Sequence, residues 1–571
     1  MRYIKLAELY RDLSSTTKRL EKIDILSKFL HSLPEKDSDV LYLLLGDIYP
    51  EYDERRIGIS EQLAIKAIGQ ATGNPKEVLI KEWKKIGDLG EVAENVTKTK
   101  KQVTLGSTLL TTEKVINNLR KLPCLVGKGT VTKKLALITE LLTSATPLEA
   151  KFLVRTLIGD LRIGLKEATV RDAMAQSFFE KNKENCDKLQ KAIDKTNDLA
   201  SVFIIARKGK IKLLEKLQLE IGKPIKAMLA QKAKDFVDGF KAVGTPCAVE
   251  YKYDGFRLII HKNEKGYKLF TRRLENVTKQ FPEIIEFLNK YVKGKSYILD
   301  SEAVGYDKLT KQYTQFQKIS QRIRRKYNIV EMAKELPVEI NVFDIIYYNG
   351  KSLLDEPFKK RSAILDKIII KKPYKIIRAR QIITDSIPKA EKFYKAALKD
   401  NQEGVIIKNL NTGYNPGSRV GHMLKIKPDD KDLDLVITGA EYGAGKRSGW
   451  MSSFILSCLG KNKGEFLEIG KMGTGISEKE NEGKVTFEQL SKMLTPLITK
   501  EKGKRVWVKP KIIVAVTYQE IQRSPNYNSG FALRFPRLLA LRTEDKPLSE
   551  ITTIEEIKKD MIEQKRNWKY G

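Results

Sequence analysis

The segment Glu250-Tyr251-Lys252-Tyr253-Asp254-Gly255-Phe256-Arg257 gathers a carboxylate, an amine and a guanidinium in one short stretch. Alternation from Ala248 to Tyr253 predicts a strand, on which Glu250 and Lys252 share a face because side chains repeat every two residues. Asp254-Gly255 predicts a tight turn, and the apolar run from Phe256 to His261 predicts a second strand. A lysine at a strand end, beside a turn where backbone can come close, is a candidate nucleophile. In a chain this rich in lysine, any single one is more often a solvated surface group. What singles out Lys252 is the series of side chains downstream.

Arg272 follows in Phe270-Thr271-Arg272-Arg273, and Glu302 in Leu299-Asp300-Ser301-Glu302. Phe343-Asp344 ends another apolar run, and Glu403 opens Glu403-Gly404-Val405-Ile406-Ile407-Lys408. Arg419 precedes Leu424-Lys425-Ile426-Lys427, where alternation puts both lysines on one face. Each charge is expected where a short apolar run ends, at a sheet rim bordering a cleft. Taken singly, such charges are usually just solvated; together they supply what nucleotidyl transfer needs. A lysine that attacks the α-phosphorus of a nucleotide must be neutral, whereas a free lysine is almost wholly protonated at neutral pH. Arg257, Lys425 and Lys427, or a metal, could favour the neutral amine. Glu302 and Glu403 could hold a divalent cation, directly or through water. Arg272 and Arg419 suit phosphate and ribose, and Phe343 offers a stacking face to a base. The Asp254-Gly255 turn is expected to set Lys252 and Arg257 on opposite sides of one phosphate, with Tyr253 and Phe256 as packing residues.

Three regions must position these groups. Residues 1–218 show Leu, Ile and Ala recurring among charges at helical spacing, as in Leu135-Ala136-Leu137-Ile138-Thr139-Glu140-Leu141-Leu142. Pro224 ends that regime, and residues 219–428 mix strands with helices, one of them from Ala390 to Leu398. Residues 429–571 carry short strands separated by turn residues: 434–439, 453–459, 466–470, 505–508 and 512–516. That pattern predicts a small β-barrel with a helix near 486–494 and a tail helix from Thr553 to Gln564. Leu153 to Leu165, with Gly159 and Gly164 among Arg155 and Arg162, could hold phosphates or serve as a packing corner.

The chain has 571 residues, with 106 Lys and Arg against 72 Asp and Glu, a net charge of +34. An excess of this size and sign points to a polyanionic partner. Its 4 cysteines are far apart with no Cys-x-x-Cys pair, and only 3 histidines occur. Zinc sites, disulfide frameworks and a Ser-His-Asp triad are therefore not expected. The N-terminus lacks an apolar signal core and no stretch is long and apolar enough to span a membrane, so an intracellular protein is expected. Gly443-Ala444-Gly445-Lys446-Arg447-Ser448 resembles a phosphate-binding P-loop, but Arg447 stands where Ser or Thr is required and Ala440 where glycine is.

Lys252-Tyr253-Asp254-Gly255-Phe256-Arg257 resembles the KxDGxR signature of ATP-dependent DNA ligases of the archaeal and eukaryotic replicative type. The resemblance covers nearly the whole chain. It implies that Lys252 is adenylated by ATP and that Glu250, Arg257, Arg272, Glu302, Phe343, Arg419 and Lys425 contact the nucleotide. Glu250 would read the adenine amino group and Phe343 would stack on the base. Glu302 and Glu403 fall on the metal-associated carboxylates, with Mg2+ or Mn2+ as the metal. Leu157-Ile158-Gly159-Asp160-Leu161-Arg162-Ile163-Gly164 resembles the signature of the family's helical DNA-binding domain. Ser529 to Arg537, followed by Arg542-Thr543-Glu544-Asp545-Lys546, resembles its last motif, which lies on an OB-fold and orients departing pyrophosphate. Met423 stands where the family often has tryptophan, which implies altered packing. Gln102-Val103-Thr104-Leu105-Gly106 has the glutamine of a sliding-clamp box without its aromatic pair, a weak motif for that partner.

The resulting expectation is a multidomain protein: an all-α DNA-binding domain, an α+β adenylation domain and a C-terminal β-barrel OB-fold. It would be a monomer, cytoplasmic in a prokaryote of archaeal kind, sealing nicks in duplex DNA through lysyl-AMP and DNA-adenylate intermediates. An RNA ligase and an mRNA-capping guanylyltransferase share the lysine logic, but the long helical region and Arg534-Phe535-Pro536-Arg537 argue against both. A non-catalytic OB-fold protein that binds nucleic acid would leave Lys252 unconstrained.

Overall fold

The computed structural model describes residues 1–571 except 100–108, 315, 324, 326, 429–430, 444–446, 448, 463, 479, 481–484 and 571; of 317, 419 and 563–570 only the backbone is described. The clamp-like Gln102–Gly106 stretch and most of the P-loop-like segment thus lie outside the described residues. Contacts divide the chain into two compact units, one of residues 1–80 and 89–427, the other of 81–88 and 428–571.

Between residues 3 and 215 the described elements are helices, from Tyr3–Ser14 to Ile211–Glu215, as the periodicity predicts. Their ends carry recognisable signals. Ser60 accepts a hydrogen bond from Leu63 N at the start of Glu61–Thr72, and Gly73, at φ +76°, ends it. Thr146 and Glu149 form a capping box ahead of Pro147–Leu157, with proline at the first helical position. That helix packs on Leu89–Lys98 where Gly90 allows close approach: a Cβ there would lie 2.7 Å from Lys151 O. Arg155 is buried in this contact and pairs with Glu91 at 3.6 Å. Arg162 pairs with Asp160 at 2.7 Å. The expectation that these arginines hold phosphates needs correcting for Arg155, a packing residue of the helix pair.

The strands of the first unit form two sheets. One has the order β1 (Leu229–Lys232), β12 (Arg419–Ile426), β11 (Gly404–Asn409), β2 (Cys247–Lys252), β10 (Gln381–Thr384). β1 runs parallel to β12, and the other pairs are antiparallel. The second has the order β4 (Gly266–Thr271), β3 (Phe256–Asn263), β5 (Tyr297–Tyr306), β7 (Val338–Tyr348), β8 (Lys351–Ser352), with β6 (Tyr313–Thr314) on β5 and β9 (Ile376–Arg378) on β7. Side-chain alternation decides which face each strand shows. On β2 and β11, Val249, Tyr251, Val405 and Ile407 join a core with Phe236, Phe240 and Ala397 from the helices Phe236–Val243 and Ile387–Lys399. Leu258, Ile260, Leu299 and Val342 of the second sheet pack on Ile284, Leu288 and Leu365 of the helices Pro282–Tyr291 and Phe358–Ile368.

Joints between the helical region and the sheets are polar. Lys226 lies 2.6 Å from Glu51 and 2.9 Å from Glu167. Asn276 N donates to Glu54 at 2.6 Å, and Asn197 Nδ2 to Pro224 O at 2.6 Å.

In the second unit the long strand β13 (Lys431–Tyr442) organises a curled sheet. It pairs with β14 (Met451–Leu459) along one edge. Along the other it pairs first with β18 (Ile513–Tyr518) and then with β17 (Arg505–Val508). β15 (Phe466–Met472) continues from β14, β16 (Ile498–Lys502) from β17, and β21 (Arg537–Leu541) from β18. β19 (Glu520–Arg523) and β20 (Phe531–Arg534) make a separate ribbon. Leu435, Ile437, Phe454, Leu456, Val506 and Val514 fill the interior, closed by Phe487 and Leu490 of the expected helix, Phe487–Leu494. The tail helix, Ile554–Tyr570, runs longer than its sequence pattern suggests. Arg447, from the P-loop-like segment, pairs with Glu478 at 2.8 Å, a structural tie.

Candidate active site

The strand, turn and strand around Lys252 do not fold back on one another. β2 belongs to the first sheet and β3 to the second, so Asp254-Gly255 carries the chain across from one to the other. The crossing is tight: a Cβ on Gly255 would lie 2.3 Å from Ala303 O of β5, so only glycine fits. Two neighbours strap the turn. Gln402 Oε1 accepts from Asp254 N at 3.1 Å, and Glu403 N donates to Lys252 O at 2.9 Å.

Between the sheets lies a cleft of about 810 Å³. Glu250, Lys252, Arg257, Arg272, Glu302, Phe343, Glu403 and Lys425 all line it. Six of these candidates lie on five strands, while Arg272 follows β4 and Glu403 precedes β11, and sequence spacing alone does not bring them together. Their position differs from expectation in one respect. Glu302 and Phe343 lie in the middle of β5 and β7, not at strand ends. The cleft is bounded by sheet faces, and period-two alternation is what turns these residues into it. Lys427 lies beyond the end of β12 and is not among the lining residues. The backbone of Arg419 pairs with Leu229 at the start of β12, and its side chain is outside the described part. Met423 lines the cleft and packs with Ile259, Phe270 and Tyr414.

Lys252 Nζ donates to Glu403 Oε2, and both side chains keep about a quarter of their surface exposed, at 22% and 25%. Glu302 faces the same amine. Its burial pushes its carboxyl up to about 8, with Glu403 and Asp300 adding to the rise and Lys252 and Arg257 opposing it. Arg257, which also lines the cleft, has its own partners: its guanidinium donates to both oxygens of the fully buried Asp300, at 2.8 and 2.5 Å, and to Met228 O at 2.7 Å. Tyr414 OH donates to Asp300 at 2.7 Å and completes the cluster. Arg257 therefore ties β3 to β5 and to the approach of β1 while lining the cleft with Lys252.

Two residues before Lys252 on the same strand, Glu250 is 2% exposed. Burial raises its carboxyl above the usual range, and Lys408, 2.6 Å away, works against that rise. Lys408 Nζ also lies 5.0 Å from the centre of the Phe343 ring, and Arg257 Cζ 5.3 Å from it. Phe343 thus keeps cations near its ring while lining the cleft. Asp344 serves packing: it is buried against Arg361 at 2.7 Å, and the guanidinium outweighs desolvation to hold its carboxyl below the usual range. Lys408 has no assigned role in the sequence reading, although it ends the Glu403–Lys408 element. The signal was available, since Gly404, Ile406 and Lys408 share one face of β11.

Comparison with known proteins matches this architecture along its length. Residues 2–175 match the DNA ligase N terminus, 227–427 the ATP dependent DNA ligase domain, and 447–546 the ATP dependent DNA ligase C terminal region. The DNA ligase of Nanoarchaeum equitans is 43% identical over 98% of both chains. Those of Thermococcus fumicolans and Methanocaldococcus jannaschii are 39% and 37% identical over 98% and 97% of both chains. A solved structure described as Pmar-Lig_Pre shares the fold, with a TM-score of 0.56 at 17% identity over 94% of this chain and 98% of that one. Matched by three family models in sequence and similar to archaeal relatives from end to end, the chain belongs to the ATP-dependent DNA ligases.

Proposed function

We propose that Lys252 is the residue on which this ligase carries AMP. The reaction is that of the family: a 5′-phosphate is joined to a 3′-hydroxyl at a nick in duplex DNA, with ATP as the adenylate donor. One observation carries the assignment to Lys252: its amine ends a strand inside the cleft, hydrogen-bonded to Glu403 and facing Glu302. The Lys252 lone pair attacks the α-phosphorus of ATP. A P–N bond forms, the bond to the bridging oxygen breaks, and pyrophosphate leaves with its electrons. Glu403 is within reach of the proton the amine must release. The 5′-phosphate of the nick then displaces Lys252 from AMP, and the 3′-hydroxyl finally expels AMP from the activated phosphate.

Glu250 and Phe343 are the proposed contacts for adenine, one to its amino group and one to its face. Arg272 and Arg419 are the proposed contacts for phosphate and ribose, and Arg257, Glu302 and Lys425 the remaining proposed contacts to the nucleotide. Glu302 and Glu403 are the residues that would hold Mg2+, or Mn2+ in its place. Their oxygens are hard donors beside the attacking amine, a fit for an ion that takes its remaining coordination from water and phosphate. Among the described residues no group of three or more His, Cys, Asp or Glu is placed to hold a metal. When bound, the metal would neutralise charge on the phosphates.

In this reading residues 1–218 hold the duplex by phosphates and shape, 219–428 carry the adenylate chemistry, and 429–571 form an OB-fold. The enzyme works as a monomer in the cytoplasm of an archaeal cell, with a sliding clamp as a candidate partner. No helix among the described residues is long and apolar enough to cross a membrane. The test is covalent labelling with α-labelled ATP and Mg2+. The expected result is one labelled protein band, absent in Lys252→Ala and discharged by nicked DNA with sealing. Label that survives Lys252→Ala would sink the assignment, and discharge by nicked RNA alone would move the enzyme to another class.

A further inference from the structure

Glu250 does not stand alone in its pocket. It faces Gln381 directly across the antiparallel pair β2 and β10, and Gln381 Nε2 donates to Glu250 Oε1 at 2.7 Å. Lys408 holds the other oxygen. A glutamine amide can present either its donor or its acceptor end, so something must choose. Here Arg378 chooses. Its Nη2 donates to Gln381 Oε1 at 2.6 Å, and a guanidinium can only donate, which leaves the amide NH₂ for Glu250. Arg378 is itself clamped by both oxygens of Asp366, at 2.6 and 2.7 Å, and by Ser362 Oγ. The result is a chain running from the surface carboxylate Asp366 through Arg378 and Gln381 to the buried Glu250. Gln381 does not line the cleft, and neither does Arg378.

We propose that Gln381, oriented by Arg378, is a positioning residue that makes Glu250 an acceptor for the 6-amino group of the donor nucleotide's purine. The proposal rests on the reading of Glu250 as the adenine contact. Its chemistry is simple. A carboxylate held by donors on both oxygens keeps lone pairs free in fixed directions. An incoming amino group meets an acceptor already aimed, whereas a 6-oxo group meets lone pair against lone pair. Without Gln381, Oε1 loses a buried partner and the carboxylate is free to turn about its last bond.

The test compares self-adenylation by ATP with that by purine riboside triphosphate, which lacks the amino group, and by inosine triphosphate, which replaces it with oxygen. Gln381→Met keeps the volume and removes the amide. The expected result is a KM for ATP raised about tenfold with kcat changed less than about threefold, the size of one lost hydrogen bond to a charged group. The KM for purine riboside triphosphate should stay within about twofold, and preference for ATP over inosine triphosphate should fall. Arg378→Met, two residues removed from the base, should shift the same ratio in the same direction. Melting temperatures accompany every variant, and the nucleotide ratio is read within each one, so a general loss of stability cancels. Equal loss with all three nucleotides, or no loss with any, overturns the proposal. Glu250→Gln separates the two readings. If it changes the ratio of ATP to purine riboside triphosphate and Gln381→Met does not, only the role of Gln381 falls. If Glu250→Gln leaves the ratio unchanged, the adenine contact falls and the proposal with it.

Discussion

Phe343 is the clearest case of one side chain whose role can be priced by itself. It lines the cleft from the middle of β7, between the strand that carries Glu302 and the pocket of Glu250. Stacking of a base on an aromatic ring is worth about 1–3 kcal/mol. Phe343→Ala should therefore raise the KM for ATP by roughly 10- to 100-fold while kcat for self-adenylation changes little, since the proposed role of the ring is to hold the base and not to act on the reacting atoms. Adenylation kinetics over a range of ATP concentrations check this, and an equal fall in kcat with KM unmoved would refute it. Phe343 was recognisable from its place at the edge of a charged pattern, as were Lys252, Glu250 and Glu403. Gln381 was not, for a physical reason. Its position depends on how β10 registers against β2, and nothing within the strand encodes that pairing. The buried partner of Arg257 was hidden as well, since Asp300 is supplied by a strand more than forty residues on.

The helices and strands were legible where local rules decide them. Helical periodicity, turn residues and two-residue alternation marked the helical, mixed and strand-rich regions. The assignment of β2 and β3 to different sheets was not legible, because Asp254-Gly255 serves equally well to fold a chain back or to carry it across. Joints between elements were also hidden. Asp194, on the helix Lys183–Thr196, shows why one of them matters. Burial pushes its carboxyl up to about 7, with Glu167 adding to the rise and Gln190, Lys226 and Arg171 opposing it. Gln190 donates to it at 2.9 Å. Lys226, on the segment leading into the sheets, lies between Glu167 and Glu51. An acid whose folded pKa exceeds its unfolded value of about 3.9 holds a proton in the folded state that the unfolded chain has lost. Stability then falls as pH rises from about 4 through about 7, and the deficit persists above. Asp194→Asn removes the deficit and keeps an acceptor for Gln190. Its melting temperature should match that of the parent near pH 4 and exceed it by several degrees at pH 8. A gap that is constant with pH would show that Asp194 ionises freely in the folded protein.

Net charge is the property of the entire chain that sequence states most directly, and +34 commits this ligase to a polyanion. An enzyme that seals breaks wherever they fall cannot depend on base edges, so its grip must come from phosphates and duplex shape. Each phosphate neutralised releases counterions, and the logarithm of the binding constant falls with the logarithm of salt by about 0.9 per contact. With about six contacts, a modest share of the cationic excess, the slope is about −5, and affinity falls roughly a thousandfold between 50 and 200 mM salt. Two nicked duplexes of unrelated sequence should give the same slope and affinities within a fewfold, measured by fluorescence anisotropy without ATP. Self-adenylation uses a small substrate inside the cleft and should change far less over the same range. The two measurements together divide the charge into its uses. A shallow slope, near −1, would mean that the positive excess serves something other than the duplex. A steep slope with strong sequence preference would mean that base contacts, not phosphates, hold the nick. A steep slope common to both sequences, with adenylation nearly indifferent to salt, is the outcome this charge distribution and this cleft require.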